Sequence, residues 1–275
     1  MRIALVGTEN SHADHLVRHL NVEGQQHRIV ALVGDDERTR ELAKAGDIER
    51  VVATSGELLA DVDALIVTNR DGALHRAEAV PFLEAGIPVW VDKPLAASTT
   101  DAREILQAAH RGKTQVTSYS AIRWLPDADE LATADVGDLQ TVTVTGPADP
   151  DSEHSGIFFY GIHTADLAQR LAPGDPAPVE VARVGSTIIA TYRTGEILVT
   201  LQLVKPTDTD RVPFHAHLVG RTGLTSRDIR LDSEYVLPGL KVFLEMLDTG
   251  QPPLDDATML APITVLEQLG NALRT

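Results

Sequence analysis

Over the first 120 residues the apolar positions alternate between two patterns. Short, mostly apolar runs lie at 3–6, 29–33, 50–53, 64–68, 89–91 and 115–117. Runs of that length and continuity predict strands buried on both faces, as in a parallel sheet. Between most of them apolar residues recur every three or four positions. That spacing predicts helices over 12–20, 37–45 and 74–85, the last carrying Leu74, Ala77, Val80, Phe82 and Leu83. A fourth helix is expected from an N-cap at Ser98 to His110, with Asp101 in its first turn. Strand alternating with helix predicts an α/β fold with a doubly wound parallel sheet of the Rossmann type.

The pattern changes after residue 120. An acidic stretch over 127–134 reads as a loop or short helix, 139–144 as a strand and 158–171 as a helix. Strands then follow at 179–184, 187–192, 197–204 and 214–219, with Thr194-Gly195 composed like a hairpin turn. Helices over 238–247 and 255–273 close the chain. This predicts an α+β domain with a largely antiparallel open sheet. The expected division is 1–120, a dinucleotide-binding domain, and 121–275, a substrate-binding and dimerisation domain with C-terminal helices. An open sheet face needs cover, so a homo-oligomer (dimer or tetramer) is expected. His215 and His217 alternate on one strand face, which suggests an exposed edge rather than a ligand pair.

Charge narrows the partners. With 24 basic and 40 acidic residues the 275-residue chain carries a formal charge of −16. Such a surface repels phosphate backbones and anionic bilayers, so neither nucleic acid nor membrane is expected as a partner. The chain has no cysteine, which removes disulfides and thiolate chemistry. The first apolar run meets Gly7 after four residues, too soon for a signal peptide. No run approaches the roughly 18 residues that span a bilayer. The cytoplasm is the expected compartment, and a small molecule the expected partner.

The loop after the first strand reads Gly7-Thr8-Glu9-Asn10-Ser11-His12. A dinucleotide loop places three glycines here, for a tight turn, close approach to the pyrophosphate and close helix packing. Only Gly7 stands; Glu9 and His12 hold the other two places. Asn10 and Ser11 remain able to cap the helix or donate to an anion. Asp35, at the end of the second strand, suits ribose hydroxyls and favours NAD over NADP. The alternative is a strand–turn–helix that holds no nucleotide. Lys93 precedes a proline at a strand end, where open α/β sheets bind ligands. His163 can trade protons near neutral pH, and Asp166, three residues on, can orient it or pair with Arg170. Arg123 has the fork geometry for a substrate carboxylate, or for a domain-bridging ion pair. Tyr160 is a donor or a core aromatic. His12, Asp14 and His15 do not complete a metal set by spacing, so no metal is expected.

Two stretches resemble one known family. Asp63 to Thr68, His75, then Glu84-Ala85-Gly86-Ile87-Pro88-Val89-Trp90-Val91-Asp92-Lys93-Pro94-Leu95 is similar to the strand, helix and Glu-Lys-Pro motif of the Gfo/Idh/MocA oxidoreductases. Gly161-Ile162-His163-Thr164-Ala165-Asp166 resembles their second-domain Gly-Ile-His-x-x-Asp segment, and Ser120 to Pro126 their crossing segment. The resemblance implies NAD(P)-dependent hydride transfer to or from a sugar, cyclitol or similar hydroxylated molecule. It implies Lys93 and His163 as the proton-handling residues. It implies cofactor contacts from Gly7, Glu9, Asn10, Ser11, His12, Asp35, Thr68, Asn69, His75, Asp92 and Lys93. Substrate contacts would come from Arg123, Tyr160 and Asp166. The chain departs from the family at the glycine loop and at position 159, where Phe replaces the usual carboxylate. The alternatives are a lyase, hydrolase or isomerase using the same residues, or a binding protein without a cofactor.

Overall fold

In the computed structural model, which describes residues 1–24 and 26–274, the first strands form one parallel sheet. They are β1 (Arg2–Val6), β2 (Arg28–Val33), β3 (Arg50–Val52), β4 (Ala64–Val67), β5 (Val89–Val91) and β6 (Val116–Thr117). Their spatial order is β3-β2-β1-β4-β5-β6, the doubly wound dinucleotide-fold order. The central strands are buried on both faces, Ile3, Leu5, Leu65 and Ile66 all at 0% exposure. This is why they read as unbroken apolar runs. The helices between them are α1 (Ser11–Val17), α2 (Glu37–Ala45), α3 (His75–Glu84) and α4 (Thr99–Gly112).

The first helix is shorter than its apolar pattern predicts. After Val17 it widens into a π-helical turn, Arg18–Glu23. The turn brings Asn21 into the core. There its amide donates to the Ile29 and Gly46 carbonyls and accepts from the Ile29 N–H. A polar side chain that satisfies three backbone groups has no apolar signature.

The chain continues through α5 (Pro126–Ala132), β7 (Leu139–Pro147), α6 (Phe158–Leu171), β8 (Glu180–Val184), β9 (Thr187–Thr194), β10 (Ile197–Val204), β11 (Phe214–Gly220) and β12 (Leu224–Ile229). It ends in α7 (Leu237–Thr249) and α8 (Asp256–Arg274). The second sheet runs β12-β11-β7-β10-β9-β8, antiparallel except for the β7–β10 pair. Helix α6 lies against β7 and β10. Gly146 permits this, since a Cβ there would stand 2.6 Å from Thr164 and 2.7 Å from Phe214. Val142, Val144, Val199 and Leu201 fill the covered face, and Thr143 and Thr200 alternate onto the other.

The sequence reading missed β12. Its six residues are exposed except for half-buried Thr225 and buried Ile229, so no apolar rhythm marks it. Its presence corrects the placement of His215 and His217. Their strand is not an edge, because β12 pairs with it along its length, and His215 Nδ1 meets Asp228 Oδ1 at 2.8 Å.

Two compact units result. One comprises residues 1–96, 100–119 and 236–254; the other comprises 97–99, 120–235 and 255–275. Helix α7 therefore belongs with the parallel sheet. Phe243 stacks on Trp90 at 5.3 Å between ring centroids, and the Tyr119 hydroxyl donates to the Gly239 carbonyl at 2.7 Å.

Candidate active site

In the first unit strand order reverses between β1 and β4, and ligands of open α/β sheets sit at the carboxyl ends of such strands. Gly7 ends β1 at φ +87°, and a Cβ there would lie 2.2 Å from the Asn69 nitrogen. Glycine is thus required by the approach of β4, whatever binds above it. The Thr68 hydroxyl donates to the carbonyls of Val6 and Gly7 at 2.9 and 2.8 Å. Asn69 ends this strand with its side-chain oxygen buried and without a hydrogen-bond partner, a group that a ligand donor would satisfy.

The next residues close on one carboxylate. Asn10 caps α1 by accepting the His12 N–H at 3.0 Å, and its amide nitrogen reaches Asp92 at 3.5 Å. His12 Nδ1 lies 2.8 Å from the same Asp92 oxygen. Both partners are buried. Burial raises the Asp92 pKa, but the His12 charge and hydrogen bond, with help from Lys93, outweigh it and hold the carboxyl down at about 2. Lys93 is 6% exposed. Burial lowers its ammonium pKa, Asp92 partly restores it, and Arg70 lowers it further. His75 braces the neighbouring loops, its ring nitrogens 2.7 Å from the Pro94 carbonyl and 2.9 Å from that of Asn69. Burial pushes its pKa down. Glu9 is exposed, and its carboxylate accepts the Arg70 N–H at 2.9 Å. Ser11 opens α1 and is exposed. Asp35 is exposed beyond the end of β2, its carbonyl accepting from Arg40. Arg38 donates to the Thr8 carbonyl at 3.1 Å and to Asp14 at 2.5 Å.

In the second unit His163 projects from α6, half-buried. Its Nδ1 lies 2.6 Å from the Ser120 hydroxyl, and its ring meets Phe214 edge-on at 5.4 Å. Asp166 and Arg123 bind each other at 2.8 Å, both buried. Burial raises the Asp166 pKa, against the lowering pull of Arg123 and the Ser120 N–H. Arg170 does not take Asp166; it pairs with Asp129 and donates to the Arg123 carbonyl. Arg123 thus forms an ion pair, though within the second unit and not as the domain bridge expected of it, and Asp166 is its partner. Tyr160 is 39% exposed and packs edge-on against Phe159, whose ring also meets His154.

The sequence reading passed over Ser120, Arg70 and the Asn10–His12–Asp92 junction. A serine before the turn at 121–124 looks like a cap, and it does accept the Ile122 N–H at 3.3 Å. Ser120 is wholly buried, so the Ser–His pair does not present a nucleophile.

Comparison with known proteins bears on both units. Residues 1–120 match the model of an oxidoreductase family with an NAD-binding Rossmann fold. Inositol 2-dehydrogenase 1 of Saccharopolyspora erythraea is 39% identical over 110 residues, 38% of this chain and 32% of that protein. Inositol 2-dehydrogenase 3 of the same organism is 28% identical over 199 residues, 66% of this chain and 57% of that one. The chain thus spans about a third of the first relative and just over half of the second. The crystal structure of GenD2 from gentamicin A biosynthesis, in complex with NAD, superposes with a TM-score of 0.83 at 18% identity, covering 98% of this chain and 92% of that one. At that identity the likeness is one of fold.

Proposed function

We propose that the chain, whose first 120 residues match the model of the Gfo/Idh/MocA oxidoreductase family, is an NAD-dependent dehydrogenase of a cyclitol or related polyol. The observation that carries the reading is the Lys93 amine, buried beside Asp92 at the carboxyl end of β5 with its pKa lowered. More of such an amine is neutral, and so able to accept a proton, than of a solvated lysine. His163 is the second group assigned to the substrate oxygen. The names of the two inositol dehydrogenases support the substrate class.

The residues of the first unit fit NAD. The strand order, the turn at Gly7, the unpartnered Asn69 oxygen and exposed Asp35 match what a dinucleotide asks of such a sheet. NAD bound there would accept the hydride from the substrate carbon. Asp35 would favour ribose hydroxyls over a 2′-phosphate. The uncovered face of the second sheet, with half-exposed Leu198, supports assembly as a homo-oligomer.

The reading is tested by titrating the protein with NAD and NADP and assaying myo-inositol oxidation. Tighter NAD than NADP binding and inositol-dependent reduction of NAD are expected. Equal or tighter NADP binding would remove the role of Asp35, and no binding of either would remove the dehydrogenase reading.

Glu9 sets the affinity in this proposal. Two negative groups about 4 Å apart repel by about 1 kcal/mol in bulk water and about 4 at an effective dielectric of 20. In the structure this carboxylate accepts the Arg70 N–H. Glu9→Gly is expected to tighten NAD binding by about tenfold or more, read by calorimetry. Glu9→Gln separates charge from bulk. Unchanged affinity in both variants would show that Glu9 does not oppose the phosphates.

A further inference from the structure

We infer that Ser120 holds His163 as the neutral tautomer protonated on Nε2, so that His163 meets the substrate oxygen as a hydrogen-bond donor and not as a base. The inference rests on the proposed reading only for the identity of that oxygen. The tautomer follows from the second unit itself.

Ser120 is wholly buried, and its backbone is anchored without help from its hydroxyl. Its N–H donates to Asp166 at 2.8 Å, and Asp166 is held in turn by Arg123. The hydroxyl oxygen has two further neighbours. The Ile122 N–H donates into it at 3.3 Å, and His163 Nδ1 stands 2.6 Å away. A hydroxyl carries one proton and two lone pairs. Among the described residues His163 Nδ1 is the one recorded acceptor for that proton. Were Nδ1 protonated, Ser120 would accept twice and bury its own proton without a partner, an arrangement that interiors avoid. With the hydroxyl donating to Nδ1, both groups are satisfied and the single ring proton sits on Nε2. Phe214, packed edge-on against the imidazole, resists the ring flip that would exchange the two nitrogens.

Two consequences follow. Protonating His163 forces Ser120 to turn from donor to acceptor and orphans its proton, so Ser120 resists the imidazolium. Among the described residues, the charged groups near this pair include Asp166 and Arg123, bound to each other, and Arg170, which donates to the Arg123 carbonyl. In the reaction, the O–H bond of the substrate breaks toward another group, Lys93 in the proposed reading. His163 keeps its own proton and steadies the oxygen. Ser120 is thus a positioning residue.

The test is nitrogen NMR of the full chain with labelled histidine, the His163 signals being identified by their loss in His163→Gln. At neutral pH a bare Nδ1 and a protonated Nε2 are expected. Ser120→Ala should raise the apparent pKa of His163 by about half to one unit, up to tenfold in the ionisation constant. Ser120→Cys, a weaker donor of similar shape, should fall between. Both variants keep the N–H bond to Asp166, and a thermal midpoint checks that they fold. A protonated Nδ1 in the wild type overturns the inference, and so does a His163 pKa that stays or falls in Ser120→Ala. Where myo-inositol turnover is measurable, Ser120→Ala should lower kcat and leave KM nearly unchanged. The spectra need no substrate, so the tautomer can fail while the dehydrogenase reading stands, or the reverse.

Discussion

Replacing His163 by Ala is expected to lower turnover by roughly 10²–10³-fold, the usual worth of one positioned hydrogen-bond donor at a reacting oxygen. NAD affinity should hardly change, because the residues that fit the cofactor belong to the first unit. His163→Gln provides the finer test. A glutamine amide carries an N–H about as far along the side chain as Nε2, and it cannot act as a base. A donor role therefore predicts that Gln retains much more turnover than Ala. Equal losses in both would assign His163 to proton abstraction. Wild-type turnover in the Ala variant would make the residue structural. Steady-state assays with parallel NAD titrations distinguish these outcomes.

The second large effect concerns stability. Arg123→Met should destabilise the protein by about 3–5 kcal/mol, the usual cost of removing one partner of a buried ion pair. Asp166 would keep its burial and its bond from the Ser120 N–H and lose its countercharge. The sign with pH follows from Asp166, whose pKa is already raised by burial and only partly lowered by Arg123. Without Arg123 it rises further. A carboxyl with a folded-state pKa above its unfolded value keeps its full contribution below the unfolded pKa. That contribution is lost as pH rises through the folded one. The deficit of the variant should thus grow from acid toward neutral pH, as read in urea denaturation. Adding Asp166→Leu should recover most of the loss. A deficit that does not vary with pH would mean that the guanidinium acts by packing alone.

Much of the fold could be read from the sequence because burial on both faces leaves unbroken apolar runs. Ala64–Val67 and Val89–Val91 are such runs, and both are strands. The helix over Phe158–Leu171 was equally plain from its spacing. What escaped was polar or distant in the chain. Strand β12 is a nearly bare edge, and the π-helical turn depends on the hydrogen bonds of Asn21. The same division holds at the candidate site. Lys93 and His163 were singled out through local motifs. The contact of His12 with Asp92 joins residues 80 positions apart, and that of Ser120 with His163 spans 43. Local pattern carries no trace of such pairs. An ion pair was among the expectations for Arg123, but no rule of spacing names Asp166, 43 residues on, as its partner.

The placement of α7 beside Trp90 and Tyr119 also has a consequence in time. A ribosome delivers all six parallel strands well before it reaches Leu237–Thr249. At ordinary translation rates that interval is on the order of ten seconds. Until α7 arrives, Trp90 lacks the ring of Phe243 and the Tyr119 hydroxyl lacks the Gly239 carbonyl. The unit begun first is therefore finished late, after every strand of the second sheet has been synthesised. A nascent chain stalled before residue 237 would show the parallel sheet with an open apolar flank, a surface suited to chaperone capture.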